Sequence, residues 1–127
     1  MVSLARSIPE DPFLPAGDDA LRSPSGQRPI DLVHLARQTA GDRGLEREVL
    51  GLFLKHLQLV AARLNTAGGL ELCQIAHTLK GACRNVGAFR LADAAEGCER
   101  SGFDTASLAA MRTEIDNTRD FVARLAG

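Results

Sequence analysis

The chain has 127 residues with 15 basic and 16 acidic side chains, a net charge of -1, and neither tyrosine nor tryptophan. Balanced charge gives no long-range attraction to nucleic acid or to an anionic membrane, and few aromatic residues leave little for base stacking. Because no run of about 18 apolar residues could span a bilayer and no secretory signal is evident, we expect a cytoplasmic protein without a nucleic-acid or membrane partner.

The first part of the chain differs in composition from the rest. Residues 1–28 hold four of the five prolines, mixed with Gly, Ser and Asp and without a sustained hydrophobic period. Such composition is typical of a flexible segment. We therefore predict a flexible Pro-rich tail over 1–28 and a helical bundle domain over 29–127, and Met1 with this lead segment favours a free-standing small protein.

A helical pattern begins at Pro29. A short apolar helix contains Ile30, Leu32, Val33 and Leu35. Gly41 can end this helix, and Asp42 can cap the next one. The apolar positions of that long second helix step by three and four residues, as one face of an α-helix does. They are Leu45, Val49, Leu52, Phe53, His56, Leu57, Val60 and Leu64.

Three further helices follow, separated by glycines. Gly68 and Gly69 precede a helix over about 70–86, and Gly87 separates it from a short helix of small residues that Ser101 and Gly102 close. Asp104 can cap the last helix, and no alternating run suggests a strand. The predicted fold is all-α: an antiparallel up-and-down four-helix bundle with a short extra N-terminal helix.

The third helix presents its one histidine to solvent. On a helical wheel the core stripe is formed by Leu72, Ile75, Ala76, Leu79, Ala82, Cys83 and Val86. The opposite face carries Gln74, His77, Thr78, Gly81, Arg84 and Asn85, with Lys80 at its edge. A lone exposed histidine is usually a plain surface residue, but here its neighbours favour a role.

Those neighbours suit a histidine that accepts a phosphoryl group. Neutral imidazole is a nitrogen nucleophile near neutral pH, and the phosphoryl group it accepts brings nearly two negative charges. Lys80, one turn on, can screen that charge, and Arg84 could help from the next turn. Gly81 costs a helix about 1 kcal/mol relative to alanine. The cost is understandable if Gly81 leaves clearance for a partner's active site, and the alternative is close packing against another helix.

The stretch from Ala76 to Arg100, AHTLKGACRNVGAFRLADAAEGCER, resembles the signature of histidine-containing phosphotransfer (HPt) domains. That signature runs His-x-Leu-Lys-Gly, then a glycine after about five residues, then a helix with a spaced leucine and an acidic residue. The matching positions are His77, Leu79, Lys80, Gly81, Gly87, Leu91 and Glu99. One departure is Cys98, where the family more often has a leucine, and the likeness extends more loosely over residues 30–126.

The resemblance implies that His77 carries the phosphoryl group, that Lys80 supports its charge and that Gly81 gives access. We add Gln74, Arg84 and Ala88 as supporting or partner-binding residues. The implied partners are response-regulator receiver domains and a sensor or hybrid histidine kinase. The implied function is that of a phosphorelay intermediate in two-component signal transduction.

No cofactor is expected in the chain itself, and the resemblance assigns Mg²⁺ to the partner receiver domain. Gly68-Gly69 lacks the frame of a phosphate-binding loop, so we expect a phosphocarrier without ATP-dependent kinase activity. We expect a monomer, because no spare apolar helix face is evident.

Two alternatives of other classes remain at this point. One is a bundle of HPt shape that binds receivers or kinases without transferring phosphate. The other is the dimerisation bundle of a histidine kinase, but that class shows His-Glu-x-x-x-Pro, whereas His77 is followed by Thr78 and Leu79.

The remaining histidines and the cysteines receive structural interpretations. We predict that His56 is a hydrogen-bonded core or boundary residue and that His34 belongs to the short first helix. Neither is spaced with carboxylates or thiols as a metal ligand. Cys73, Cys83 and Cys98 lack CxxC spacing and are predicted to be small core residues.

Overall fold

The computed structural model describes residues 28–126, and every regular element within this range is an α-helix. In chain order the helices are α1 Leu32–Gln38, α2 Arg43–Arg63, α3 Gly69–Val86, α4 Phe89–Ser101 and α5 Thr105–Ala126. Helices α2 to α5 form the bundle, and α1 packs against α3. The predicted fold is confirmed, whereas the predicted tail lies outside the described residues apart from Arg28.

Aspartate caps fix where three of the helices begin. The Asp31 carboxylate accepts hydrogen bonds from the backbone N–H groups of Val33 at 3.0 Å and His34 at 3.1 Å. Asp42 accepts one from the N–H of Leu45 at 3.0 Å. Each bond satisfies a backbone donor that has no partner within its own helix.

Asp104, which caps the N-terminus of α5, has a lowered pKa. Asp104 accepts a hydrogen bond from the N–H of Ser107 at 2.8 Å. This bond favours the ionised carboxylate, so it lowers the pKa of Asp104 below its ordinary value of 3.8.

Gly87, at the C-terminal end of α3, contacts the residue that precedes α1. Its φ of 93° lies in the left-handed region, where a side chain is strained. The Gly87 carbonyl accepts a hydrogen bond from the Asp31 N–H at 2.8 Å. A Cβ atom at this position would lie 2.9 Å from the Asp31 carbonyl oxygen. Glycine is therefore needed here both for the turn and for the close approach of α1.

One stripe of α2 supplies its part of the core. The buried residues of this stripe are Leu50, Phe53, Leu57, Val60 and Leu64, which again step by three and four. Leu45 and Leu52 belong to the apolar face predicted for α2, but they are 43% and 68% exposed and lie outside the core. They lie with Leu59, which is 64% exposed, on a neighbouring stripe that no described element covers.

Small side chains on α4 bring it close to α3. Ala92, Ala95 and Cys98 are all buried, and α3 packs more extensively against α4 than against α2. Consequently α3 is held firmly on its α4 side, while a cleft opens on its α2 side.

Candidate functional site

Helix α3 places a buried stripe directly behind an exposed face. Ile75, Ala76, Leu79, Cys83 and Val86 are buried in the core. The residues between them on the opposite face, including His77, are exposed. The core therefore fixes the backbone that carries the His77 imidazole, while the ring itself faces solvent.

Open space lies beside His77 at Gly81, one turn further along α3. Gly81 is exposed, and a Cβ atom built on it would meet no atom of another element within 4 Å. Packing against a neighbouring helix therefore does not explain this glycine. The absent side chain leaves the surface beside His77 unobstructed, as the clearance interpretation requires.

Lys80 lies on the α4 side of His77, where it already has an anionic partner. Its Nζ donates a hydrogen bond to Oε1 of Glu99 in α4 at 2.7 Å, and the two side chains are only 19% and 27% exposed. The sequence signature includes both residues, but the wheel of α3 alone gave no sign of this contact. The cation predicted to support the phosphoryl group is thus already hydrogen-bonded to a carboxylate.

Arg84, one turn beyond Lys80 on α3, also forms an ion pair with α4. Its guanidinium donates to Glu96 at 2.9 Å, and Glu96 also accepts a hydrogen bond from Arg100 at 2.9 Å. The Arg84 side chain is 52% exposed. It can therefore meet a partner, although part of its charge is neutralised within the chain.

The α2 side of His77 is formed by a shallow cleft, here called the α2–α3 cleft. It is lined by His56, Leu59, Val60 and Arg63 of α2 and by Gln74, Ile75 and Thr78 of α3. Gln74 is exposed on this side, and its supporting or partner-binding role stays a prediction. An ion pair between Arg63 and Glu71 joins α2 to α3 beside this cleft.

His56 departs from its predicted environment. It is half-buried, as a boundary residue should be, but its Nε2 is buried without a hydrogen-bond partner among the described residues. The prediction of a hydrogen-bonded core or boundary histidine is therefore met in its position at the boundary but not by a hydrogen bond at this nitrogen. His34, by contrast, hydrogen-bonds through Nε2 with the Asn85 carbonyl at 3.2 Å and packs edge-on against Phe89.

Comparison with protein families decides which class of helical bundle this is. The model of the Hpt domain matches residues 48–127, which is more than half of the chain. The chain belongs to the Hpt domain family. No curated protein and no solved structure gave a significant match. Membership implies histidine phosphotransfer in two-component signalling, in which Hpt domains interact with receiver domains and kinases.

One predicted surface residue of this Hpt domain lies in its interior. Ala88 is fully buried at the junction of α3 and α4, and its N–H donates to the Cys83 carbonyl at 2.8 Å. The prediction that Ala88 binds a partner is therefore wrong. Ala88 instead follows the left-handed Gly87, where a small residue lets the chain turn into α4.

The three cysteines of the Hpt domain have different environments. Cys83 and Cys98 are buried as predicted, and burial raises the pKa of Cys83 to about 12. Burial also raises the pKa of Cys98, whose Sγ lies 3.2 Å from the Ser107 carbonyl oxygen. Cys73 is exposed, so its assignment to the core is wrong.

Residues 28–126 contain no group of three or more His, Cys, Asp or Glu side chains arranged to hold a metal ion. Among these residues no helix is long and apolar enough to cross a bilayer.

Proposed function

We propose that this Hpt domain is a phosphorelay intermediate. It accepts a phosphoryl group on His77 from a receiver-domain aspartate, or from a hybrid histidine kinase, and passes it to the aspartate of a response regulator. The observation that carries the proposal is the exposed His77 on a core-anchored helix, one turn from both Lys80 and the open position at Gly81.

The chemistry needs little from this chain beyond an oriented nucleophile. The unprotonated nitrogen of the neutral imidazole attacks phosphorus, and the bond from phosphorus to the aspartate oxygen breaks. The aspartate leaves as a carboxylate with the bonding electron pair. The ring then carries a positive charge until the proton on its other nitrogen passes to water. Transfer from His77 to the aspartate of the response regulator follows the same steps in reverse.

Lys80 and the receiver each neutralise part of the negative charge on the phosphoryl group in the transition state. The transition state for phosphoryl transfer is loose and nearly in line, with negative charge spread over the oxygens. Lys80 can stabilise that charge from the His77 side. In this proposal the receiver supplies Mg²⁺, so this chain needs neither a metal ion nor a nucleotide of its own.

The exposed leucines beside the α2–α3 cleft favour docking of the receiver on that side. Leu52 and Leu59 are 68% and 64% exposed on α2, and the cleft lies between Leu59 and the face of α3 that carries His77. A receiver presenting an apolar helix could cover these residues while its phosphorylated aspartate reaches the imidazole. Such transient interfaces are commonly small.

Isotope transfer tests this function. A panel of purified receiver domains, labelled with ³²P-acetyl phosphate, is mixed with the protein and with His77→Gln. We expect acid-labile, base-stable label on the wild type and none on His77→Gln, while the control His34→Gln, which changes a histidine outside the α2–α3 cleft, keeps its label. Label on His77→Gln would refute His77 as the carrier.

The same assay separates transfer from binding alone. An Hpt-like bundle that only binds receivers would bind the panel without acquiring label. Monomeric state and cytoplasmic location stay predictions from the sequence, and light scattering tests the first of them.

A further inference from the structure

The ion pair between Lys80 and Glu99 differs from the other pair between α3 and α4. Lys80 and Glu99 are 19% and 27% exposed, whereas Arg84 and Glu96 are 52% and 35% exposed. Exposed pairs contribute little because water screens both charges. The less exposed Lys80–Glu99 pair retains more of its interaction energy, and it is the pair nearer to His77 in sequence.

A phosphoryl group on His77 would compete with Glu99 for one cation. Lys80 lies one helical turn from His77, and its Nζ is 2.7 Å from the Glu99 carboxylate. The ammonium can rotate on its flexible stem toward a phosphoryl group, but only by weakening its bond to Glu99. The carboxylate would also repel the phosphoryl oxygens directly. Both effects raise the free energy of the phosphorylated state.

We propose that Glu99 sets the phosphoryl-transfer equilibrium of this domain by competing with the phosphorylated His77 for Lys80. Glu99 is thus a positioning residue that acts through Lys80 and does not touch the reacting atoms. A relay intermediate has to release its phosphoryl group as well as accept it. Partial neutralisation of Lys80 keeps the phosphohistidine from becoming too stable to pass on. This inference rests on the proposed function of His77.

The test measures how ³²P is distributed at equilibrium between this domain and a receiver domain. A receiver domain that labels the wild-type protein in the panel above is incubated with wild type or Glu99→Gln, and the ratio of phosphorylated domain to phosphorylated receiver is determined. We expect Glu99→Gln to raise this ratio about three- to tenfold, which corresponds to the loss of one partly screened charge.

A matched variant controls for a general loss of negative charge. Glu96→Gln removes the same charge from the same helix and also frees a cation of α3, but from the more exposed pair. We expect it to change the ratio by less than about twofold. Glu99→Asp, which keeps the charge, should return the ratio toward the wild-type value. Thermal unfolding followed by circular dichroism checks that each variant is folded.

A double-mutant cycle tests whether Glu99 acts through Lys80. In a Lys80→Met background, Glu99→Gln should raise the ratio by clearly less than in the wild type, because the shared cation is gone. An equal rise in both backgrounds would overturn the proposed competition. So would an unchanged or lowered ratio for Glu99→Gln alone. Failure of the wild type to take label on His77 would instead refute the proposed function.

Discussion

Gly81→Ala should make the domain more stable and a poorer phosphotransfer partner at the same time. Gly81 lies inside α3, and a Cβ there meets no atom of another element within 4 Å. Alanine should therefore add about 0.5–1 kcal/mol to the free energy of unfolding through helix propensity alone.

The same methyl group should hinder the approach of the receiver domain to His77. It adds a protrusion of about 1.5 Å on the exposed face of α3, one turn from His77. Displacing reacting groups by about 1 Å can cost about a hundredfold in rate. We therefore expect phosphoryl transfer from a receiver to Gly81→Ala to be about ten- to a hundredfold slower than to the wild type.

Gly51→Ala is the matched control. Gly51 lies inside α2 and is also open to a Cβ atom. One and two turns further along the same side, Leu54 and Gln58 line a cleft shared with α5, so this side of α2 points away from α3. We expect the same gain in stability with an unchanged transfer rate.

Two measurements on purified protein settle the prediction. Urea unfolding is followed by far-ultraviolet circular dichroism, since the chain has no tryptophan or tyrosine for fluorescence. Transfer rates come from rapid-quench labelling. Wild-type transfer by Gly81→Ala would refute the clearance argument, and a loss of stability would show that position 81 is not open.

Three further predictions concern other parts of the domain. Gly87→Ala should cost about 2–4 kcal/mol in urea unfolding, because a left-handed φ of 93° and a Cβ 2.9 Å from the Asp31 carbonyl oxygen both oppose a side chain; a loss below about 1 kcal/mol would contradict this. Asp104 has a lowered pKa, so the stability that it gives as a carboxylate is complete above its ordinary pKa and is lost as the pH falls through the folded value. The difference in melting temperature between wild type and Asp104→Asn should accordingly stay constant down to about pH 5 and shrink as the pH falls below the ordinary value of 3.8, and a difference that persists unchanged to about pH 2 would argue against the cap. In the native protein a disulfide reagent should modify Cys73 quickly and Cys83 only after unfolding, since Cys83 is buried with a pKa of about 12; equal rates would be inconsistent with this structure.

The helices could be predicted because their signals are local. Asp42 and Asp104 cap helices through groups within three residues, and Gly87 ends α3 in a left-handed turn. The exposure of His77 also followed from the wheel of α3, because its buried stripe is continuous and strongly apolar. These features depend on neighbours in sequence rather than on the arrangement of the bundle.

Most of the wrong predictions concern residues whose burial depends on how the helices pack against one another. α2 has two adjacent apolar stripes, and only packing against its neighbours determines that Leu57 is buried while Leu52 is exposed. Ala88 was misplaced for the same reason, since a small residue tolerates either environment. Cys73 is a different case: it lies one turn before His77 on the exposed face of α3, so the error came from its residue type and not from the packing of the bundle. The Lys80–Glu99 contact depends on the register of α3 against α4, which single-helix periodicity does not contain.

The division of α3 into a buried and an exposed face has an evolutionary consequence. Ala76 and Leu79 are fully buried and determine the fold, whereas Gln74, Thr78 and Arg84 are exposed. Substitutions at such exposed positions usually change stability by less than about 0.5 kcal/mol. Duplicated copies of this domain could therefore diverge toward different signalling pathways through their outer residues while the scaffold that orients the imidazole stays intact.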